Sequence, residues 1–296
     1  MYYGVMFIQN RASLSGIQRK LLVIKEGNQY RPTKLDELST HIAKLSSGNL
    51  TDIIEVEYLT TQAVKALLPE DAIVEMDIST IPSINEPALI IKRFDRIVST
   101  SKITRVHFEE FNQLLEHYSG DDKYKGSYEM LGHFIRRTPR CIPVEALRLY
   151  KRILANLLIG NTDAHLKNFA MFHTRDGLRL TPSYDVVSAN RYKQFNQIAL
   201  SIGGASDLNI GSLKPKHIID LGYAFGLNDK IILDTFKHLE KNLSAAKIAI
   251  STANIDCSLQ LRNKLINLME KRWNGSFDSI GQLLLKRQNN VAKRKI

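Results

Sequence analysis

The chain has 296 residues, of which 44% are hydrophobic and 24% charged, with only 16 glycines and 8 prolines. This composition excludes solvated-coil, collagen-like and low-complexity classes and is enough for a substantial core. A formal charge of +11 invites a nucleic-acid reading, but the last 40 residues hold nine basic and two acidic side chains, most of the surplus, and leave the rest nearly balanced. No apolar run approaches the ~18 to 20 residues of a membrane helix, and the N-terminus lacks a basic region followed by an apolar stretch, so a soluble, cytoplasmic protein without membrane contact is expected. Cys141 and Cys257 stand apart without CxxC or Cys/His spacing, which points to packing thiols rather than a disulfide or zinc site.

In chain order, short apolar runs at 21–24, 53–56, 72–76 and 88–94, separated by polar or proline-containing turns, predict strands. Residues 57–68 have helical spacing and stop before Pro69. After residue 100 the pattern turns to long amphipathic segments: 107–118, a stretch around 127–136, and 143–161, where Pro143 suits a first helical turn. Further helices are predicted at 229–248, where Ile232, Phe236, Leu239, Leu243 and Ala246 recur at steps of four and three, and at 259–269. The two styles divide the chain into a strand-rich unit, 1–96, and a helical unit, 97–296.

Residues 161–188 have a different texture, with polar and charged residues clustered between apolar elements. Asp163, His165, Lys167 and Asn168 are followed by two short strands turning at Asp176-Gly177 and then by Asp185. In kinase-type phosphoryl transfer one Asp accepts the hydroxyl proton, an Asn five residues on binds a metal, and a second Asp beyond a short hairpin binds the metals bridging the ATP phosphates. Asp163, Asn168 and Asp185 have that order and spacing, and a short loop plus a hairpin can return three oxygen donors to one hard-cation site. A bare D-x-x-x-x-N also arises as a polar loop with capping residues. Upstream, Gly16 lies in a Ser-rich turn before an apolar run, Lys44 in the alternating segment 40–45, and Glu57 at a helix start.

Taken together, S-x-S-G-x-Q-x-K, T-H-I-x-K-L, E-Y, R-F-D-R, N-x-D-x-H-x-K-N and L-T-P-x-Y-D-V-x-S-A resemble the HipA-like serine/threonine kinases, toxins of bacterial toxin–antitoxin modules. The motifs run in order from Ser13 to Ala189. The resemblance implies an α+β, bilobal protein-kinase-like fold with a small strand-rich lobe and a larger all-helical lobe. HipA itself carries a further small subdomain before the Ser-Gly loop. The late start here is similar to the short HipT toxins, whose missing piece is a separate protein, HipS, encoded beside a HipB-like DNA-binding antitoxin.

The roles implied by the resemblance follow residue by residue. Lys44 contacts ATP phosphates, with Glu57 as its ion-pair partner, and Ser15 and Gly16 lie in the phosphate loop. Residues 92–96 form the hinge that holds adenine, with Lys92 and Arg93 in it and Phe94 as an apolar wall; HipA has Glu where this chain has Lys92. Asp163 is the catalytic base, His165 and Lys167 support the loop and phosphates, and Asn168 and Asp185 hold Mg2+. Ser13 or Ser15 is autophosphorylated, which inhibits by repelling ATP phosphates. Family substrates are aminoacyl-tRNA synthetases, so a synthetase is the expected target, with partners like HipS and HipB and no direct sequence-specific nucleic-acid contact. Two other readings are a pseudokinase-like or nucleic-acid-binding regulator and, with less support, a small-molecule kinase, which would not need the paired loop serines.

Overall fold

A computed structural model describes residues 18–46, 48, 50–99 and 102–293, with side chains as far as residue 287. Ser13, Ser15 and Gly16 therefore lie outside the described residues. The chain opens with strands β1 (Lys20–Glu26), β2 (Gln29–Pro32) and β3 (His41–Leu45), crosses helix α1 (Ile53–Leu67), and returns in β4 (Met76–Ile81) and β5 (Glu86–Lys92). These strands form an antiparallel sheet in the order β2-β1-β3-β5-β4. Period-two alternation divides its side chains: Val23, Ala43, Leu45, Ala88 and Ile90 form a small core on one face. Leu89 and Ile91, on the other face, join the main core with α1. Lys44 lies opposite Leu89 in the register and so belongs to that second face.

The segment 53–56, predicted as a strand, is the first turn of α1. Its β-branched composition favours a strand, but Ile53, Ile54 and Val56 are buried with Leu59, Ala63 and Val64 in one helical core face, and that packing overrides propensity. The helix ends at Leu67, as Pro69 requires. A strand at 72–76 also fails to form; apart from Met76 at the start of β4, the segment makes a single bridge, Ile73 to Ser183.

Beyond the first sheet lie the hairpin β6 (Arg96–Val98) and β7 (Ile103–Arg105), then β8 (Phe108–Glu110) and the short helix α2 (Phe111–Leu114). Residues 107–118 are thus not one amphipathic helix. The backbone of 108–110 is taken up by β9 (Ala170–Thr174), with Phe108 opposite Phe172 and Glu110 opposite Ala170. Helices α3 (Tyr128–Arg137) and α4 (Val144–Ile159) follow, and then β9 and β10 (Gly177–Leu180) form the predicted hairpin. The larger lobe is therefore mainly, not wholly, helical, because β8, β9 and β10 make a three-stranded sheet within it. Helices α5 (Pro215–Ala224), α6 (Asp229–Thr252), α7 (Leu259–Arg272) and α8 (Ile280–Lys293) complete the described chain. Among the described residues no helix is long and apolar enough to cross a membrane.

Two glycines fix the approach to the site. Gly160 takes a left-handed φ of 79° as it caps α4, turning the chain into residues 161–168. Gly177 has φ 121°, and a Cβ there would meet the Arg140 carbonyl oxygen at 2.2 Å, so only glycine closes the β9–β10 hairpin against that backbone.

Candidate active site

The site is built between β3, α1, the turn after α4, and the residues after β10. Alternation sends the Lys44 side chain toward α1, where Glu57 occupies the buried helix face one turn before Thr60 and Thr61. Lys44 Nζ donates to Glu57 Oε1 at 2.6 Å and makes a second, shorter contact with Asp185 Oδ1. Lys44 and Glu57 are both nearly inaccessible. Burial disfavours the charged ammonium, but Asp185 and Glu57 outweigh it and hold Lys44 above the usual lysine range. Burial likewise opposes the Asp185 charge, and Lys44 overcomes it, keeping this carboxyl well below the usual range.

Asp185 has a left-handed backbone, φ 52°, an uncommon conformation outside glycine that the surrounding bonds enforce. Its carbonyl accepts from Asn161 Nδ2 at 3.1 Å, and the same amide nitrogen donates to Asn156 Oδ1 at 2.7 Å. Asn161 Oδ1 accepts the Asp163 N–H at 3.2 Å, so one buried amide ties the end of α4, Asp163 and Asp185 together. Across the cleft, the Thr60 hydroxyl donates to the Val186 carbonyl at 2.7 Å.

Asp163, Asn168, Asp185, Lys44 and Glu57 line one cleft with Gln18, Lys20 and Val187. Tyr124 donates its hydroxyl to Asp163 Oδ1 at 2.9 Å. Lys20 faces Lys44 directly in the β1–β3 register. Lys20 keeps an exposed surface, yet desolvation by the surrounding protein, with Lys44 beside it, draws its pKa below the ordinary lysine range even though Asp185 opposes the shift. Lys123 is lowered mainly by burial, against the pull of Asp163. The cleft thus gathers cations around carboxylates, an arrangement that suits a polyanion carrying a metal ion. Sequence reasoning missed Tyr124 and Lys123, since nothing in local spacing links them to Asp163, and it met Lys20 only as the last residue of S-x-S-G-x-Q-x-K, without a role.

The other sequence-predicted residues lie around this centre. His165 is buried behind the loop, its ring edge-on to Tyr124 with centroids 5.2 Å apart. Among the described residues neither ring nitrogen has a hydrogen-bond partner, and burial, reinforced by Lys123, pushes its pKa down to about 3. Burial thus favours the neutral ring in the folded chain. Lys167 reaches toward Glu110 at 3.7 Å, and its carbonyl accepts from the Tyr184 hydroxyl at 2.7 Å. In the hinge segment the Lys92 N–H is donated to Glu75 O and the Arg93 N–H to Thr40 O, so both donors are already used within the protein. The Lys92 ammonium turns outward to Glu75, and the Arg93 guanidinium grips Asp95 through two hydrogen bonds. Phe94 packs edge-on against Phe108 and Phe172 and at a tilt against Tyr184.

The donor chemistry suits a hard cation in part. Asp163 and Asp185 offer carboxylate oxygens in the same cleft. Asn168, however, receives the His165 N–H on Oδ1 at 2.9 Å and donates Nδ2 to Asp185 Oδ2 at 3.2 Å, so its oxygen faces the loop backbone. Turning this amide would aim its oxygen at Asp185 and the cleft, where Asn168 could serve as a ligand.

A curled antiparallel sheet with one crossing helix, set on a helical lobe with a polar cleft between, defines a protein-kinase-like fold. The family model described as the HipA-like C-terminal domain matches residues 12–247, and the chain belongs to that family. The chain is 28% identical over 219 residues to the serine/threonine-protein kinase toxin HipA of Shewanella oneidensis, an alignment covering 67% of this chain and 48% of that protein. Among solved structures, it superposes on a chain of the Shewanella oneidensis HipA, HipB and operator DNA complex with TM-score 0.76 and 22% identity, over 95% of this chain and 70% of that one. The Helicobacter pylori proinflammatory kinase CtkA gives TM-score 0.62 at 13% identity, covering 92% of each chain. The chain spans about half the length of the Shewanella oneidensis HipA and of two other curated relatives it matches, 46 to 59% of each.

Proposed function

We propose that this protein is an ATP-dependent serine/threonine kinase of the toxin type, with a strand-rich lobe to Arg96 and a mainly helical lobe beyond. The observation that carries this reading is the Lys44 ammonium held between Glu57 and Asp185, in one cleft with Asp163 and Asn168. Phosphoryl transfer needs positioned charge more than covalent chemistry, and each residue has a task in those terms. Lys44 exchanges its contact with Asp185 for ATP phosphate oxygens, while Glu57 keeps the ammonium aimed at the cleft. Lys20 and Lys123 add positive charge at the mouth. Asp163, oriented by Tyr124 and Asn161, accepts the proton of the attacking serine hydroxyl. Asp185 and, after its amide turns, Asn168 would hold Mg2+, which neutralises phosphate charge when bound. Phe94 offers an aromatic face to adenine.

The finer parts of the reading rest on the family resemblance. The protein substrate is a serine of an aminoacyl-tRNA synthetase, Ser13 or Ser15 is the site of inhibitory autophosphorylation, and the partners are a HipB-like antitoxin and a HipS-like small protein. The presence of HipB with HipA in the complex of the structural neighbour supports the antitoxin partner.

Calorimetry with ATP and Mg2+ tests the proposal. The wild-type chain binds one nucleotide, and Lys44→Met weakens it by about 10-fold or more, the loss expected for one charge-assisted contact. No nucleotide binding, together with salt-sensitive DNA or RNA binding that survives Asp163→Ala, would favour the nucleic-acid-binding regulator instead.

A further inference from the structure

A second cluster with chemical potential lies on the far side of the β8–β9 ladder. The register pairs Phe108 with Phe172 and Glu109 with Met171, so the next position outward sets His107 directly across from His173, with Glu109 on its diagonal. Because side chains alternate along strands, these three share the face opposite Phe108 and Phe172. Their ligand atoms all lie within 4.8 Å of one another. The two imidazoles lie 4.7 Å apart between centroids, and His173 Nε2 sits 2.5 Å from Glu109 Oε2. His107 is exposed and the other two are half-buried, so an ion can enter from solvent.

We propose that His107, Glu109 and His173 form a binding site for a divalent transition metal, with Zn2+ the best-fitting ion. Two imidazoles and one carboxylate are a three-ligand zinc donor set that leaves a fourth, water-filled position. Imidazole nitrogen disfavours Mg2+ and Ca2+, so the site is chemically distinct from the oxygen-lined cleft. Tetrahedral ligands at zinc bond lengths sit about 3.4 Å apart, a spacing the three side chains reach by rotamer adjustment while the paired strands stay fixed. Glu109 then exchanges its contact with His173 for the metal. The bound ion clamps β8 to β9 directly behind Phe108 and Phe172, the rings that support Phe94. This assignment does not depend on kinase activity.

The test is equilibrium dialysis and calorimetry of the tag-free full chain with Zn2+, with Co2+ as a spectroscopic probe. The wild type binds one saturable equivalent, gains thermal stability with Zn2+, and gives a visible tetrahedral Co2+ band. His107→Ala and Glu109→Gln each weaken Zn2+ by at least about 10-fold, since loss of even a supporting partner of a ligand has that effect. His107 is exposed, so its variant folds. The proposal is overturned if the wild type shows no saturable Zn2+ equivalent, or if affinity and the Co2+ spectrum are unchanged in both variants.

Discussion

The hydroxyl of Thr60 lies 2.7 Å from the carbonyl of Val186 and equally close to that of Val56 one turn back, so its one proton is shared between the helix that carries Glu57 and the residue next to Asp185. Thr61 donates to the same carbonyl at 3.3 Å. Glu57 and Asp185 grip Lys44 from either side, and these backbone-directed bonds set the spacing of the grip. Thr60→Val keeps the shape and leaves the Val186 carbonyl with only the longer bond. It should cost about 1 to 2 kcal/mol in urea unfolding, the usual penalty for a lost buried hydrogen bond. An unchanged midpoint would show that the contact does not constrain α1.

His165 gives the folded chain a signature in its pH dependence. Its folded pKa of about 3 lies below the unfolded value of about 6.5, so the unfolded chain takes up a proton that the buried ring refuses. Stability from this group is full above about pH 6.5 and is lost as pH falls toward 3. Wild type should therefore lose up to about 1.4 kcal/mol per pH unit more than His165→Leu between roughly pH 6 and 5. Parallel stability curves for the two chains would mean that His165 is not held neutral.

Tyr124 orients Asp163 without being near it in sequence. If Asp163 is the base of a kinase, Tyr124→Phe should lower kcat about 10-fold, as expected for one hydrogen bond to a charged group, and leave KM for ATP within about 2-fold. Equal losses in kcat and ATP affinity would assign Tyr124 to nucleotide binding instead.

Part of the C-terminal positive charge is structural. Arg262 is buried and donates to the carbonyls of Ile250, Ser251, Ala253 and Ile255, the end of α6 and the turn after it. It thereby satisfies carbonyls that a helix end leaves without partners. Arg272 is buried too, its pKa drawn down to about 10 by that burial, and it donates to Ile210 O and Asn190 Oδ1. Arg262→Met should cost about 3 kcal/mol in denaturant unfolding, because it strips several buried carbonyls of one charged donor. A change under 0.5 kcal/mol, the range of ordinary surface substitutions, would contradict the capping role.

These cases show what local sequence could and could not reveal. The spacing of Asp163, Asn168 and Asp185 was legible because a loop and a hairpin of fixed length bring them into one cleft. Lys44 and Glu57 were legible only through the family resemblance, since by themselves a strand lysine and a helix carboxylate carry no local signal of a pair. Residues 53–56 misled because β-branched residues read as a strand, whereas their burial against the large lobe decides for helix. Residues 107–118 misled because their apolar spacing is compatible with a helix, and only pairing with β9, some sixty residues later, makes 108–110 a strand. Contacts such as Arg152 gripping Asp71 with two hydrogen bonds while donating to Thr181 O join three distant segments and leave no local signal.

The central claim is that Asp163 and Asp185 catalyse phosphoryl transfer from ATP, and the most direct measurement is transfer of labelled γ-phosphate, read by autoradiography and by intact mass. Wild type should label itself at Ser13 or Ser15, or label a protein in a bacterial lysate. Asp163→Asn should lower transfer by roughly 100- to 10,000-fold, the usual contribution of a positioned base, and Asp185→Asn should abolish it, with far-UV circular dichroism unchanged in both. A folded wild-type chain that transfers no phosphate with Mg2+ present, or label that persists undiminished in Asp163→Asn, would contradict the account.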